Sequence, residues 1–271
     1  MHIRTIGLLA GEGELPVIFT DRAKRRGTSV VALSIRGLAG KELEHHADKM
    51  YWFDWSEAAQ IPQTLVSEKI RHVVMLGKIK KSVIFKEDGD ALRENAKKML
   101  IDLEDKRDYA LLKNITRFLR TVGIRVMDAT LFLEDLVPAK GILTELIPSK
   151  EEMRDVRIGR SVAKALARLD IGQTVCVKDT VVLALEAAEG TNETIQRAGA
   201  LGRSGMAVVK MARPDQDMRF DVPIIGRETI ERLIEARARV LAIEEKKTII
   251  LEKDEIVRRA DQAGISLIVI D

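Results

Sequence analysis

A single cysteine, Cys176, stands in 271 residues. That excludes a disulfide framework and a thiolate zinc site, and it suits a reducing, cytoplasmic setting. Aromatic residues make up only 4% of the chain, too few for base-stacking platforms. A dominant charge is missing as well: 45 Lys plus Arg face 42 Asp plus Glu, a formal net charge of +3. No region is basic enough to mark a nucleic-acid partner. The roughly eighteen consecutive apolar residues of a membrane-spanning helix occur nowhere. The opening MHIRTIGLLAGEGE is apolar too briefly for a secretory signal and carries acids where a small-residue cleavage site belongs. A hydrolytic triad is poorly supported. The histidines, His2, His45, His46 and His72, all fall in the first half without zinc-ligand spacing, and no Gly-x-Ser-x-Gly elbow occurs.

What is present is an alternation of short apolar runs with amphipathic stretches, in a chain that is 46% hydrophobic and long enough for two cores. Strands are predicted at 3–9, 29–35, 49–53, 72–76 and 124–127, and helices at 15–26, 56–69 and 106–121. This alternation predicts a Rossmann-like parallel sheet over residues 1–134, with right-handed crossovers. Two prolines and a glycine in DLVPAKGILTELIPS place a linker at 135–148. Residues 149–271 read as a mixed α+β domain. A helix starts after Ser149 with Glu152 completing a capping box, and a hairpin turns at Lys178-Asp179. Further strands are expected at 206–211, 240–244, 248–251 and 265–270, with helices at 192–203, 227–237 and 253–263.

Three stretches carry chemistry. In GLLAGEGELP, Gly11, Glu12 and Gly13 lead into a helix with Pro16 in its first turn. Glycines let backbone N–H groups approach an anion, and the helix start adds its dipole. A dinucleotide cofactor, a structural turn and another phosphate-bearing ligand all fit, although the second strand ends in ALSIRGL without the carboxylate that holds a ribose. In MLGKIKK, Gly77 and Lys78 follow the fourth strand at the sheet edge where open α/β folds bind ligands; a solvated lysine loop is the competing reading. The third stretch is in two parts. LALEAAEGTNETI sets Glu186, Glu189, Gly190 and Thr191 between a strand and a helix, and VVKMARPDQDMRFDVPIIG supplies Lys210, Asp217, Arg219 and Asp221. If 217–221 is extended, its three charged side chains at 217, 219 and 221 share one face. Acids interleaved with cations suit a divalent-metal phosphate site, with Mg²⁺ on Asp217, Asp221 and Glu186. A surface loop of self-neutralising pairs is the alternative.

Taken in order, GLLAGEGELP, MLGKIKK, RLDIGQTVCVKD, ALEAAEGTNETI and KMARPDQDMRFDVPIIG closely resemble the UDP-2,3-diacylglucosamine pyrophosphatases of lipid A biosynthesis, the two-domain form unrelated to metallophosphoesterases. The likeness spans nearly the whole chain. It implies a cytoplasmic, Mg²⁺-dependent hydrolase that forms UMP and 2,3-diacylglucosamine 1-phosphate (lipid X), with substrate between the domains of a homodimer's protomer. The family's Gly-x-Gly-x-x-Pro falls on Gly11, Gly13 and Pro16, its Glu-Gly-Thr on Glu189, Gly190 and Thr191, and its Arg-Phe-Asp-x-Pro on Arg219, Phe220, Asp221 and Pro223. Asn192 stands where the family commonly has Asp. Arg107, Asp108 and Tyr109 precede Ala110 where it often has Gly-Asp-Asp before a Leu-Leu pair.

The expected division of labour is binding by Gly11, Glu12, Gly13, Gly77, Lys78, Glu189, Gly190 and Thr191, and catalysis by Asp221, Asp217, Arg219 and Lys210. Without a histidine in the second domain, water activation falls to a carboxylate, and Asp221 leads. A nicotinamide-dependent oxidoreductase and a non-catalytic nucleotide-sugar binder are the alternatives, separated by turnover with an EDTA control. A lipid substrate without a membrane span implies peripheral contact between a mildly basic surface and anionic lipid.

Overall fold

The computed structural model of the chain describes residues 3–77, 108–214, 216–220 and 222–271, with no side-chain description for 108–111. It divides into two compact units, Met1–Leu133 with Met218–Asp221, and Glu134–Asp217 with Val222–Asp271.

The first unit runs β1 (Thr5–Ala10), α1 (Leu15–Arg25), β2 (Ser29–Ile35), α2 (Leu43–His46), β3 (Lys49–Phe53), a 3-10 stretch (Trp55–Gln60), α3 (Ile61–Ser67), β4 (His72–Leu76), α4 (Asp108–Thr121) and β5 (Arg125–Val126). The strand order is β3-β2-β1-β4-β5, and every neighbouring pair is parallel. This is the expected Rossmann-like sheet. Six consecutive residues of β2 are buried, as a strand covered on both faces requires. The helix expected over 56–69 is split. Pro62 has no N–H to give Ala58, so the chain runs as a 3-10 helix to Gln60 and only then as α3. Lys106 and Arg107 lie outside the described residues.

The second unit contains β6 (Gly141–Ile142), α5 (Lys150–Arg168), β7 (Thr174–Lys178), β8 (Val181–Leu185), α6 (Thr191–Gly202), β9 (Ala207–Lys210), β10 (Ile224–Ile225), α7 (Arg227–Glu235), β11 (Val240–Glu244), β12 (Ile249–Ile250), α8 (Lys253–Gln262) and β13 (Ser266–Ile270). Its main sheet has the order β6-β13-β11-β9-β7-β8. The central β13, β11 and β9 are parallel, while β6, β7 and β8 pair antiparallel with their neighbours. A mixed α+β unit was expected, and this is one.

Two local devices hold it. The Ser149 hydroxyl accepts the Glu152 N–H at 3.1 Å while the Glu152 carboxylate accepts the Ser149 N–H at 2.7 Å, the expected capping box of α5. The β7–β8 hairpin turns on Asp179 and Thr180, both at positive φ. The buried Asp155 carboxylate accepts both turn N–H groups, at 2.9 and 2.7 Å, and compensates the strain of a β-branched residue there. The expected linker is partly structural. Ile142 pairs with Ile268, Thr144 Oγ1 accepts the Leu267 N–H at 2.9 Å, and Ser266 Oγ donates to the Leu146 carbonyl at 2.7 Å. A two-residue strand is too short for a hydrophobic period to reveal.

Candidate active site

In the first unit, β1 and β4 are neighbours from which the sheet grows in opposite directions, so the loops after them open at the switch point where α/β sheets bind ligands. Gly11 and Gly77 meet there. Gly11 donates its N–H to the Leu76 carbonyl at 2.7 Å, and a Cβ added to Gly77 would fall 2.5 Å from the Gly11 carbonyl carbon. Only glycine permits that approach, because Gly77 also has φ +97°. Gly13 has φ +110° with open space where a side chain would point. Glu14 caps α1 without a side-chain hydrogen bond, and Pro16 in the first turn removes one N–H that an anion could have used. Glu12 is half-buried beside Gly11. Lys78 lies outside the described residues.

The second unit assembles a tighter cluster at the start of α6. Gly190, at φ +89°, ends the loop from β8 and frees the first N–H groups of a helix that has no side-chain cap. Lys210, at the end of β9, is 8% exposed and donates to Thr191 Oγ1 at 2.6 Å. That hydroxyl lies 3.2 Å from Thr174 Oγ1 and donates to Glu186 at 3.2 Å. The other Glu186 oxygen accepts the Gln173 N–H, also at 3.2 Å. Lys210, Thr191, Gly190 and Glu186, expected in separate roles, therefore lie together, joined by Thr174 and Gln173, which the sequence did not single out. A threonine at a strand start carries no local signal of its partner 17 residues on. Chemically, a buried ammonium beside a helix N-terminus is a receptor for phosphate oxygens.

Glu189 stands slightly apart. Its carboxylate receives Arg197 Nη2 at 2.6 Å, and Thr194 Oγ1 donates to it at 3.4 Å. Hydrogen bonds from its own backbone N–H and from Arg197 hold its pKa below the ordinary glutamate range. Asn192, the departure from the family pattern, accepts a hydrogen bond from Thr229 Oγ1 at 3.3 Å.

The acidic segment departs from expectation. Residues 218–220 form a turn rather than a strand, so period-two alternation does not put Asp217 and Arg219 on one face. The reason is Phe220, 1% exposed in the first unit's core with Phe53, Leu65 and Val126. The Met218 carbonyl accepts the Ala129 N–H at 2.7 Å, tying the turn to that unit. Arg219 is half-buried with its guanidinium 5.7 Å from the Phe220 ring centroid, and Asp217 is half-buried in the second unit. Asp215 and Asp221 lie outside the described residues. Arg213, next to this segment, pairs with Asp170.

The remaining reactive side chains have other employment. Burial pushes the Cys176 thiol up to about 12, so it is protonated and inert. His46, the last residue of α2, has Nδ1 2.6 Å from Asp21 Oδ1, His45 precedes it in the helix and His72 opens β4. His2 lies outside the described residues. Among the described residues no three His, Cys, Asp or Glu side chains gather as a metal site, and no helix is long and apolar enough to cross a membrane.

Glycine loops at a switch point in one unit, and a lysine–threonine–glutamate cluster at a helix start in the other, define an α/β protein equipped for phosphate-bearing ligands. Comparison with known proteins makes this specific. The family model described as LpxI N-terminal domain matches residues 5–136 and that described as LpxI C-terminal domain matches 139–268; the chain belongs to the LpxI family. A curated relative, the UDP-2,3-diacylglucosamine pyrophosphatase LpxI of Caulobacter vibrioides, is 27% identical over 282 residues, covering 99% of this chain and 98% of that protein. Among solved structures, UDP-glucose 4-epimerase from Bifidobacterium longum aligns with a TM-score of 0.30 at 9% identity, over 96% of both chains. The biotin carboxylase subunit of pyruvate carboxylase aligns with a TM-score of 0.28 at 14% identity, over 65% of this chain and 35% of that one.

Proposed function

We propose that this chain hydrolyses the pyrophosphate bond of UDP-2,3-diacylglucosamine, releasing UMP and 2,3-diacylglucosamine 1-phosphate in lipid A biosynthesis. The observation that carries the reading is the consecutive match of both LpxI domain models, which together leave only short ends and a two-residue gap uncovered.

Cleavage of a phosphoric anhydride needs charge neutralisation at the attacked phosphorus, an activated water and a stabilised leaving group. Lys210 and the free N–H groups at the start of α6 supply fixed positive potential for phosphate oxygens. Thr191 orients the Lys210 ammonium, and Thr174 with Glu186 orients Thr191. The Gly11–Gly77 apposition offers a backbone-lined anion seat of the same kind in the first unit. Asp221, with Asp217 second, accepts the proton of the attacking water, and Arg219 holds phosphate oxygens.

The donor set suits Mg²⁺, which takes hard oxygens and is usually held by one or two carboxylates with phosphate and water. Asp217 and Asp221 would hold it. Glu186 accepts one hydrogen bond on each oxygen and keeps lone pairs for a cation. When bound, the ion would neutralise the pyrophosphate and acidify a water. A cytoplasmic homodimer in peripheral contact with the membrane completes the reading.

The test is release of UMP from UDP-2,3-diacylglucosamine by the purified chain with Mg²⁺, with EDTA in a parallel reaction and no nicotinamide present. Release that EDTA abolishes is the expected result. No release in the presence of Mg²⁺ overturns the reaction; release that survives EDTA overturns the cofactor.

A further inference from the structure

We propose that the outer face of α5 is a docking surface for an anionic lipid bilayer. The helix is 19 residues long, about 28 Å at the usual rise. Arg154, Arg157, Ser161, Lys164 and Arg168 recur at spacings of three, four, three and four residues, which is one stripe of an α-helix. The stripe lies opposite the buried face made by Val156, Gly159, Ala163 and Leu166. Arg154, Arg157 and Arg168 are exposed and Lys164 is half-buried.

The stripe has one sign. Between Met153 and Leu169 the only acid is Asp155, which is buried and turned to the 179–180 hairpin. Among the described residues no carboxylate lies within ion-pair distance of Arg157, Lys164 or Arg168, and Arg154 has only Glu151 near it. Helices elsewhere in the unit pair their cations, as Arg232 with Glu235, Arg258 with Glu255 and Arg259 with Glu231. An ordinary solvated face mixes signs in that way; this one does not.

Two large aliphatic side chains stand at the carboxyl end of the stripe. Leu169 is 68% exposed and Ile171 50%. The acid between them, Asp170, pairs with Arg213. A row of cations ending in an apolar tip matches an anionic leaflet, whose headgroups attract Lys and Arg and whose boundary accepts a few aliphatic groups. Because the apolar face of α5 is used by the protein core, the helix lies against the headgroups rather than sinking between acyl chains. The tip is joined to the phosphate cluster. A Cβ on Gly172 would fall 2.2 Å from the Glu186 carbonyl oxygen, and the Gln173 N–H bonds the Glu186 carboxylate. Docking by α5 therefore holds the Lys210–Thr191 cluster near the bilayer surface, where a glycolipid would be met. The inference deepens the glycolipid reading and takes from it only the need to reach lipid.

The experiment is co-sedimentation of the full chain with phosphatidylglycerol-containing vesicles and with purely phosphatidylcholine vesicles, at low and high salt, without substrate. Wild type should bind the anionic vesicles, release as salt rises and leave the zwitterionic ones. At roughly fivefold per cation near an anionic surface, R157Q/K164Q/R168Q should lose about a hundredfold in affinity. L169S/I171S should weaken binding without changing its salt dependence. Arg157, Arg168, Leu169 and Ile171 are exposed and Lys164 is half-buried, and circular dichroism checks that the variants fold. Turnover of detergent-dispersed substrate should be unchanged in the triple variant. Wild-type vesicle affinity in the triple variant overturns the proposal, as does equal binding to both vesicle types. Loss of binding to an RNA homopolymer with vesicle binding intact would assign the stripe to nucleic acid and overturn it too. Turnover without vesicle binding refutes the dock and spares the reaction; vesicle binding without turnover does the reverse.

Discussion

Replacing Gly77 by alanine tests whether the two loops of the first unit are locked together by backbone contact. The new Cβ would stand 2.5 Å from the Gly11 carbonyl carbon, 2.7 Å from its oxygen and 2.8 Å from its Cα. Carbon atoms prefer about 3.5–4.0 Å, and every atom in the way is main chain, so no side chain can swing aside. The loops must part by about 1 Å, which stretches the 2.7 Å bond from Gly11 N–H to the Leu76 carbonyl. Losing that bond costs about 0.5–1.5 kcal/mol. Holding alanine at φ +97° costs about 1–3 kcal/mol more. The sum is about 1.5–4.5 kcal/mol. Gly13→Ala is the control: its φ is +110° but the Cβ meets nothing within 4 Å, so only the backbone cost applies. Both tryptophans, Trp52 and Trp55, belong to the first unit, so their fluorescence during urea unfolding follows that unit. Gly77→Ala should fall below Gly13→Ala by about 0.5–1.5 kcal/mol. Equal losses in the two variants would refute the close-approach argument and reduce Gly77 to a simple turn glycine.

How much of this was legible in the sequence varies with range. Ser29–Ile35, His72–Leu76 and Val240–Glu244 end where expected, because buried parallel strands are apolar runs, and the half-buried edge strand Lys49–Phe53 does so because it is a short apolar and aromatic run bounded by charges. Ser149 with Glu152 is a hydrogen-bonding pattern complete within four residues, so it could be read directly. The two-residue strand β12 falls inside the apolar run expected as a strand at 248–251, whereas β6 and β10 depend on partners far along the chain, and nothing local distinguishes them from loop. The same holds for the site. Glycines announce tight turns, but the meeting of Gly11 with Gly77 follows from strand order. Lys210 and Thr191 are 19 residues apart and meet because β9 lies beside β7 and α6 starts over their ends. The charges of 217–221 suggested a strand because alternation is the local signal; the burial of Phe220 in a distant core overrides it.

Four further outcomes are expected. Asp221→Ala should fold and bind the glycolipid but lose roughly two to four orders of magnitude in turnover; retention of more than about a tenth of the wild-type rate would move the role to Asp217. Lys210→Met keeps the volume and removes the charge beside Thr191, so kcat/KM should fall about a hundredfold with little change in melting temperature. In the first unit Glu68 accepts hydrogen bonds from Lys49 and Tyr51 and is held below its ordinary pKa mainly by Lys49, while Glu68 raises both partners. The Glu68 contribution is therefore present above the ordinary carboxylate range and lost as pH falls through its lowered pKa. Those of Lys49 and Tyr51 persist below their ordinary pKa values and fade as pH rises through the raised ones. Glu68→Gln should flatten both limbs of the melting temperature against pH, and an unchanged profile would show that the triad does not link to folding. The last outcome concerns Phe220, which by position belongs to the second domain and by burial to the first unit. Phe220→Ala removes a fully buried aromatic side chain and should cost about 3–5 kcal/mol. The assignment of Met218–Asp221 requires that this loss appear in the tryptophan-reported unfolding. A destabilisation seen only in transitions to which Trp52 and Trp55 are silent would return the turn to the second unit, and with it the premise that the acidic segment is held by the first unit's core.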